Sequence, residues 1–592
     1  MINPSRSRSL TRRLFPFVEW LRGYDAPTFR SDAVAGLTVA VVLIPQAMAY
    51  AMLAGLPPVY GLYAASVTPW IGALWGSLRQ MGTGPIAIMS LLVLTTLTPM
   101  AEPGSRLYVE MAILLAHLVG LIYLVVGVFK LGQVMAFISH SAVKGFTAAA
   151  ALIITATQLP HLLGLSVGRH EYIFTMLLEI LRRLTSIHFT TAVIGVLSFV
   201  IIYGLKRMNP KIPAGLIALA LTGSAVYFFN LHESGVVVIG QIPSGLPRPK
   251  LPMFDMDVGF SLIGPAVVIA LVSFAETYSV GKAISSETKQ KVDADQEFIG
   301  QGMANLIGSF LQCYPVAGSF SRTAINFSAG AKTGISSVVS SIIVVVALLF
   351  LTPLLTFIPR AALAALVISA VLLLFHPKEV LSLWKMNRHD GIVAITVFVL
   401  ALVSAPDYAL LIGVMISLIF FLWKTMHPRI VRITKDPEYN MFVNADLADK
   451  PSCPQILHLR LDNVMYFANA EYTAEHIMYR VNRVGTPLRF LLLDLQAVGF
   501  IDITGIDELR SLNEELRRRN IRLGMMAVHR PVMESFTRSG FVNEIDSECM
   551  IDSSCLMEHK GEAITRLFSG LDHDYCRNVC PLALFHECST IK

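Results

Sequence analysis

Between residues 33 and 426 the chain is almost continuously apolar, broken only by short polar punctuation such as Lys206-Arg207-Met208-Asn209-Pro210-Lys211 and Met386-Asn387-Arg388-His389-Asp390. The clearest apolar runs lie at 33–54, 107–128, 192–205, 215–229, 262–280, 335–355, 361–375, 392–404 and 410–423. Lipid satisfies no backbone polar group, so runs of this kind are predicted to cross a bilayer as helices. Less regular stretches, broken by Gly and Pro, lie between them, and the whole pattern predicts 12 to 14 spans. After Pro451 the pattern changes. Ile456-Leu457-His458-Leu459-Arg460-Leu461 alternates as a half-buried strand, and Phe490-Leu491-Leu492-Leu493-Asp494-Leu495 reads as a fully buried one. Residues 506–519 form a helix with a charged outer face, and 522–528 another strand, so this part is a sheet covered by helices.

The division that follows is a cytosolic N-terminal segment (1–30), a transmembrane domain (31–427), a linker (428–450), a soluble α/β domain (451–570) and a cysteine-rich tail (571–592). Arg6, Arg8, Arg12, Arg13, Arg22 and Arg30 outnumber Glu19 and Asp25 at the start, which places the N-terminus in the cytoplasm. The first apolar run begins too late for a cleaved signal, so none is expected.

Composition agrees: 54% of the 592 residues are hydrophobic and 15% charged, against about 25% charged in soluble domains. The mean hydropathy is +0.61. Disorder, coiled coil and small disulfide scaffolds are excluded by the same figures. A net charge of +6 spread over this length, with no basic run interleaved with aromatics, argues against nucleic acid as a partner.

Two short apolar segments are interrupted near their middles, Met81-Gly82-Thr83-Gly84-Pro85-Ile86 and Cys313-Tyr314-Pro315-Val316-Ala317-Gly318-Ser319-Phe320-Ser321-Arg322-Thr323. Gly36 precedes Pro85 by 49 residues, and Gly264 precedes Pro315 by 51. Paired breaks in corresponding halves point to an inverted-repeat transporter with its site at the midplane, although two ordinary proline kinks would look alike. Half-helices starting at the breaks would aim their N–H groups and positive dipole ends at an anion. Arg322 at that depth is costly unless it faces a cavity or a partner. It either meets the anion, lies in an interfacial loop or pairs with Glu276. Glu276, deep in a span, is placed to carry a proton, or else forms a fixed pair with Arg322 or Lys282. Gln46 and Tyr50 stand one turn apart on one face of the first span, an amide and a phenol able to donate to an oxyanion.

These residues, taken together, resemble the sulfate permease family. The resemblance runs from about Pro27 to about Asp546. It rests on Ile44-Pro45-Gln46-Ala47-Met48-Ala49-Tyr50-Ala51, Pro57-Pro58-Val59-Tyr60-Gly61-Leu62-Tyr63, Gly84-Pro85, Val292-Asp293-Ala294-Asp295-Gln296-Glu297 and Ser319-Phe320-Ser321-Arg322-Thr323. It implies fourteen spans in two inverted repeats of seven, a core domain moving against a gate domain, and a homodimer. It also implies an anion pocket from Gln46, Tyr50, the backbone at Ile86, Ser321 and Arg322. Proton-coupled members carry Glu at the position of Glu276, whereas a sodium-coupled branch carries Asp.

The soluble part is similar to a STAS domain, on Leu493-Asp494-Leu495 and Gly499-Phe500-Ile501-Asp502-Ile503-Thr504-Gly505-Ile506. Related antagonists are phosphorylated on a Ser after that Asp. Here Thr504 offers a hydroxyl for phosphate, but its simpler role is to cap the helix starting near Ile506. An unidentified cytosolic partner is expected for this domain. The chain has seven Cys, with Cys313 in the second break, Cys453 at the domain junction and Cys549, Cys555, Cys576, Cys580 and Cys588 near the end. Cys576, Cys580 and Cys588, beside His573 and His586, are weak candidates for a metal or cluster, since their spacing is not a paired CxxC. No cofactor is expected, and the sequence has no GxxxxGK[ST], HExxH or GxSxG motif for ATP-driven, metalloprotease or esterase chemistry. The reading is a non-enzymatic, multi-pass carrier of the cell membrane with cytoplasmic termini, taking up sulfate by proton symport. Bicarbonate, dicarboxylate or chloride exchange is an alternative, and a membrane-anchored signalling role through the STAS domain is another.

Overall fold

The computed structural model of the chain describes residues 16–588, except 22, 133–138, 169–171, 210–211, 254, 373–374, 376, 405, 437, 439–440, 486, 553–564, 583 and 586–587. Arg6, Arg8, Arg12, Arg13, Arg22, Pro210, Lys211, Cys555 and His586 lie outside those residues. The described chain divides into two compact units, 1–417 and 418–592.

The first unit is helical. α1 (Ala26–Leu53) and α2 (Pro58–Trp75) lead through a two-residue strand, β1 (Thr83–Gly84), into the short α3 (Ala87–Leu97). α4 (Arg106–Val128), α5 (His140–Leu163), α6 (Ile173–Arg182), α7 (Phe189–Met208) and α8 (Ala214–Phe228) follow. The next stretch has the same order of a long helix, a second helix, a two-residue strand and a half-helix: α9 (Met256–Thr288), α10 (Ala294–Phe310), β2 (Ala317–Gly318) and α11 (Phe320–Ser328). α12 (Ile335–Val346) continues through a π-helical turn at Ala347–Leu351, beside Pro353, which has no N–H to offer the ladder. α13 (Arg360–Val371), α14 (Pro377–Met386), α15 (Arg388–Val403) and α16 (Pro406–Met426) complete the series. Among the described residues, each of the nine predicted runs holds one of these helices. Among the described residues seven helices are long and apolar enough to cross a membrane, and α3, α8 and α13 are shorter apolar helices.

The helices pack in two groups. α10 lies against α4 and α2, and α12 against α1 and α2; separately, α5 packs on α13 and α15, and α13 on α7. Glycine allows the closest approaches: a Cβ on Gly300 of α10 would stand 2.6 Å from the Cα of Gly76, at the end of α2. Polar ties cross the sequence as well. Buried Asp32 in α1 accepts from the backbone N–H groups of Lys332 (2.6 Å) and Thr333 (3.0 Å) just before α12. Apolar side chains such as Val196, Val200 and Tyr203 of α7 remain exposed, the surface that suits lipid.

The second unit carries a six-stranded sheet in the order β4-β3-β5-β6-β7-β8. Its strands are β3 (Ile430–Asp436), β4 (Met441–Asn444), β5 (Ile456–Leu461), β6 (Phe490–Asp494), β7 (Arg522–Val528) and β8 (Met550–Asp552). β5 to β8 run parallel, while β3 is antiparallel to both β4 and β5. Parallel strands need helical crossovers, supplied by α17 (Ala470–Val484), α18 (Ile503–Arg518) and α19 (Arg530–Arg538). Two expected boundaries move. Residues 428–450, expected as a linker, supply two strands, β3 pairing with both β4 and β5 and burying most of its residues. The tail is not separate either: α20 (His573–Asn578) follows it in, and Leu571, Leu584 and Phe585 are part of the same apolar core as β5 and β6.

Candidate functional site

The two sequence breaks meet. β1 pairs antiparallel with β2, Thr83 opposite Gly318 and Gly84 opposite Ala317. Each strand ends where a half-helix begins. Ile86 precedes α3 in extended conformation and offers no side-chain cap, so the first-turn amides of α3 are left free of intrahelical partners. Ser319 caps α11, accepting from the Arg322 N–H at 3.4 Å. Surrounding bonds fix the pair. Thr323 Oγ1 accepts from Gly82 N–H (2.9 Å), Thr277 Oγ1 of α9 accepts from Gly318 N–H (3.1 Å), and Asn305 of α10 clamps both faces of the Val316 peptide at 2.9 Å. Helix dipoles and unpartnered N–H groups at two adjacent starts form a positive spot without any mobile cation.

Arg322 joins the two breaks. It is 1% exposed, and its Nη1 donates to Pro85 O (2.6 Å) and Nη2 to Gly82 O (3.4 Å), while Nε is buried without a partner. A Cβ on Gly84 would stand 3.3 Å from Nη2, and Gly84 has φ +150°, so glycine makes room for the guanidinium. Arg322 is therefore neither an interfacial loop residue nor a salt-bridge partner: among the described residues no ion pair forms between it and Glu276. Its charge still acts on Glu276, Tyr50 and Tyr314. Lys282, the other expected partner of Glu276, lies over the Tyr278 ring at 4.8 Å. Glu276 keeps one buried oxygen, Oε2, without a hydrogen bond.

The remaining predicted residues divide. Gln46 and Tyr50 are both buried in α1, and Gln46 Oε1 has no partner. Ser321, in the first turn of α11, is exposed, with its hydroxyl 3.3 Å from that of Ser319. Tyr314 was not singled out from the sequence. Its buried hydroxyl lies 3.3 Å from Ser90 Oγ and so ties α3 to the segment that leads into β2; its place beside Pro315 in the break was the available signal.

In the sheet unit, the cap of α18 is Asp502, whose Oδ1 accepts from Gly505 N–H at 2.8 Å. This corrects the expectation for Thr504, which sits exposed inside the first turn, two residues past the cap position. Cys576 Sγ accepts from Gln455 Nε2 (3.1 Å) and Cys580 Sγ donates to Leu582 O (3.6 Å). Among the described residues no three His, Cys, Asp or Glu side chains stand as a metal-holding group, so Cys576, Cys580 and Cys588 are not gathered as one.

The sulfate permease family profile matches residues 29–397, and the STAS domain profile residues 448–554. "Sulfate transporter 4.1, chloroplastic" of Arabidopsis thaliana is 34% identical over 554 residues, covering 90% of this chain and 80% of its own. High affinity sulfate transporter 1 of Stylosanthes hamata is 32% identical over 536 residues, covering 86% and 80%. Among solved structures, the murine Slc26a9 anion transporter in its inward-facing state superposes with a TM-score of 0.85 at 23% identity, over 96% of this chain and 97% of that one. The transmembrane domain of the cyanobacterial bicarbonate transporter BicA matches 67% of this chain and 98% of its own, with a TM-score of 0.57 at 21% identity. With the paired breaks, the buried Arg322 and a sheet unit that contains the STAS match, the chain belongs to the sulfate permease family and carries a C-terminal STAS domain.

Proposed function

We propose that this protein is a secondary active carrier of a small inorganic oxyanion, sulfate, moved together with a proton by alternating access. The observation that carries the reading is the β1–β2 pairing, which sets the starts of α3 and α11 side by side with a buried Arg322 between them. An oxyanion there gains from the free amides at Ile86 and beyond, the Ser321 hydroxyl, and the Gln46 amide and Tyr50 phenol of α1. Arg322 contributes positive charge to the cradle, with two of its N–H groups serving Pro85 and Gly82 while Nε has no partner. The sulfate transporters among its relatives support the choice of anion. Glu276, in the field of Arg322 and with one bare oxygen, takes the proton when the anion's charge arrives. The protein then works as a homodimer in the cell membrane, with both termini cytoplasmic.

The test is uptake of labelled sulfate into proteoliposomes with and without an inward proton gradient. Wild type is expected to accumulate sulfate faster with the gradient, and Glu276→Gln to lose that stimulation. Folded protein that moves no sulfate would overturn the substrate, and bicarbonate and dicarboxylates would be tried in the same vesicles. Sulfate flux indifferent to the gradient would overturn proton coupling and leave exchange.

A further inference from the structure

Glu297 of α10 is buried, at 0% exposure, and its hydrogen bonds are one-sided. Oε2 accepts twice, from Ser77 N–H (2.9 Å) and Ser77 Oγ–H (2.8 Å), whereas Oε1 is buried and makes no hydrogen bond of good geometry, with the Gln301 amide and the Leu78 N–H close to the carboxyl. An ionised carboxylate spreads its charge over both oxygens and calls for donors on each; one bare buried oxygen is expensive. One helical turn further on, Gln301 is also fully buried, and its Oε1 too is without a partner, while its Nε2 donates to Thr83 Oγ1 at 2.9 Å. Two orphaned acceptors a turn apart on one helix face are both satisfied by one proton placed between them.

We propose that Glu297 is a second proton-binding site, neutral in this conformation, with its Oε1–H donated to the Gln301 carbonyl and the Gln301 amide holding Thr83 of β1. The proposal rests on the proton-coupled reading above and assigns a group to it. Loss of the proton reverses the chain of bonds. The Gln301 amide then turns its NH2 toward the carboxylate and its carbonyl toward Thr83, whose hydroxyl changes from acceptor to donor. Thr83 lies in the strand that leads to Ile86 and pairs with Gly318, so the protonation state of Glu297 is felt at the anion cradle. Ionisable groups on the elements packed around α10 are engaged elsewhere. His117 of α4 meets Ser309 (3.1 Å), Tyr123 donates to Ala270 O (3.1 Å), Lys282 of α9 covers Tyr278, and Glu276 lies in the field of Arg322. On α10 itself Asp295 accepts from Gly132 N–H at 2.9 Å. Oε1 itself is closed off from solvent.

Infrared spectroscopy of the full chain, carrying carboxyl-labelled glutamate, reads this directly. In the Glu276→Gln background at neutral pH a protonated-carboxyl carbonyl stretch that shifts with the label is expected, and it disappears in Glu276→Gln/Glu297→Gln. Gln301→Leu in the same background moves the band, because the hydroxyl loses its acceptor. Absence of the band in the first variant, or its persistence in the second, overturns the proposal. Glu297→Gln keeps an acceptor for Ser77 and gains a donor for Gln301, so it is expected to fold, with a melting temperature close to that of its parent. The wild-type flux comparison decides proton coupling separately: a labelled band without gradient-stimulated uptake would leave Glu297 protonated and the symport reading wrong.

Discussion

In the proposed carrier, Arg322 acts through geometry as well as charge. Its two terminal nitrogens span carbonyls on one break while its backbone belongs to the other, a task that needs a planar fork and a fixed length. Arg322→Lys keeps the charge and loses the span, so sulfate uptake in proteoliposomes is expected to fall about tenfold or more, equivalent to about 1.4 kcal/mol. Uptake within twofold of wild type would show that charge alone suffices. The depth and polarity of Arg322 were legible in the sequence, because a lone Arg amid Ser and Thr inside an apolar segment demands an explanation. Its partners were not: backbone carbonyls more than two hundred residues away leave no side-chain signature. The same reason hid Asp32, whose acceptors' donors are the amides of Lys332 and Thr333.

At the scale of elements, helix starts were easier to read than the residues that cap them. Asp502, not Thr504, closes the first turn of α18, so Asp502→Ala is expected to cost about 1 kcal/mol of domain stability. Thr504→Ala is expected to leave the thermal midpoint of the sheet unit almost unchanged, and the reverse order in thermal melts would restore Thr504 as the cap. Exposed in a helix's first turn, Thr504 also sits where a phosphate is electrostatically welcome. The long spans were legible because lipid imposes one rule on every residue of a run. The half-helices were legible only as Gly and Pro breaks, and α10 scarcely at all. Its mixed surface, with Asp293 capping it and Gln296 Nε2 donating to Trp75 O at 2.7 Å, is polar because it packs against backbone within the protein.

For the whole molecule, the sheet unit absorbs sequence on both sides of the region matched by the STAS profile, from β3 to the core residues Leu584 and Phe585. Cys453, at its start, packs against that core, and burial pushes its thiol from the usual value near 9 up to about 11. The folded state therefore favours the protonated thiol. Its contribution is fully present below about pH 9 and is lost as pH rises toward about 11. Thermal melts of the full chain are expected to show the sheet transition falling across that window, with a smaller fall in Cys453→Ala; equal slopes would assign the alkaline loss to other groups.

The two-residue ladder between β1 and β2 carries a kinetic corollary. Its bonds, with those of Asn305, Thr277 and Arg322, tie both halves of the cradle into one body. On the alternating-access reading proposed above, a cargo seat of that kind travels whole and is not rebuilt on the far side. The half-saturating sulfate concentration should then be the same whether the ion is offered from the inner or the outer face, and the direction of net flow should be set by the gradients alone.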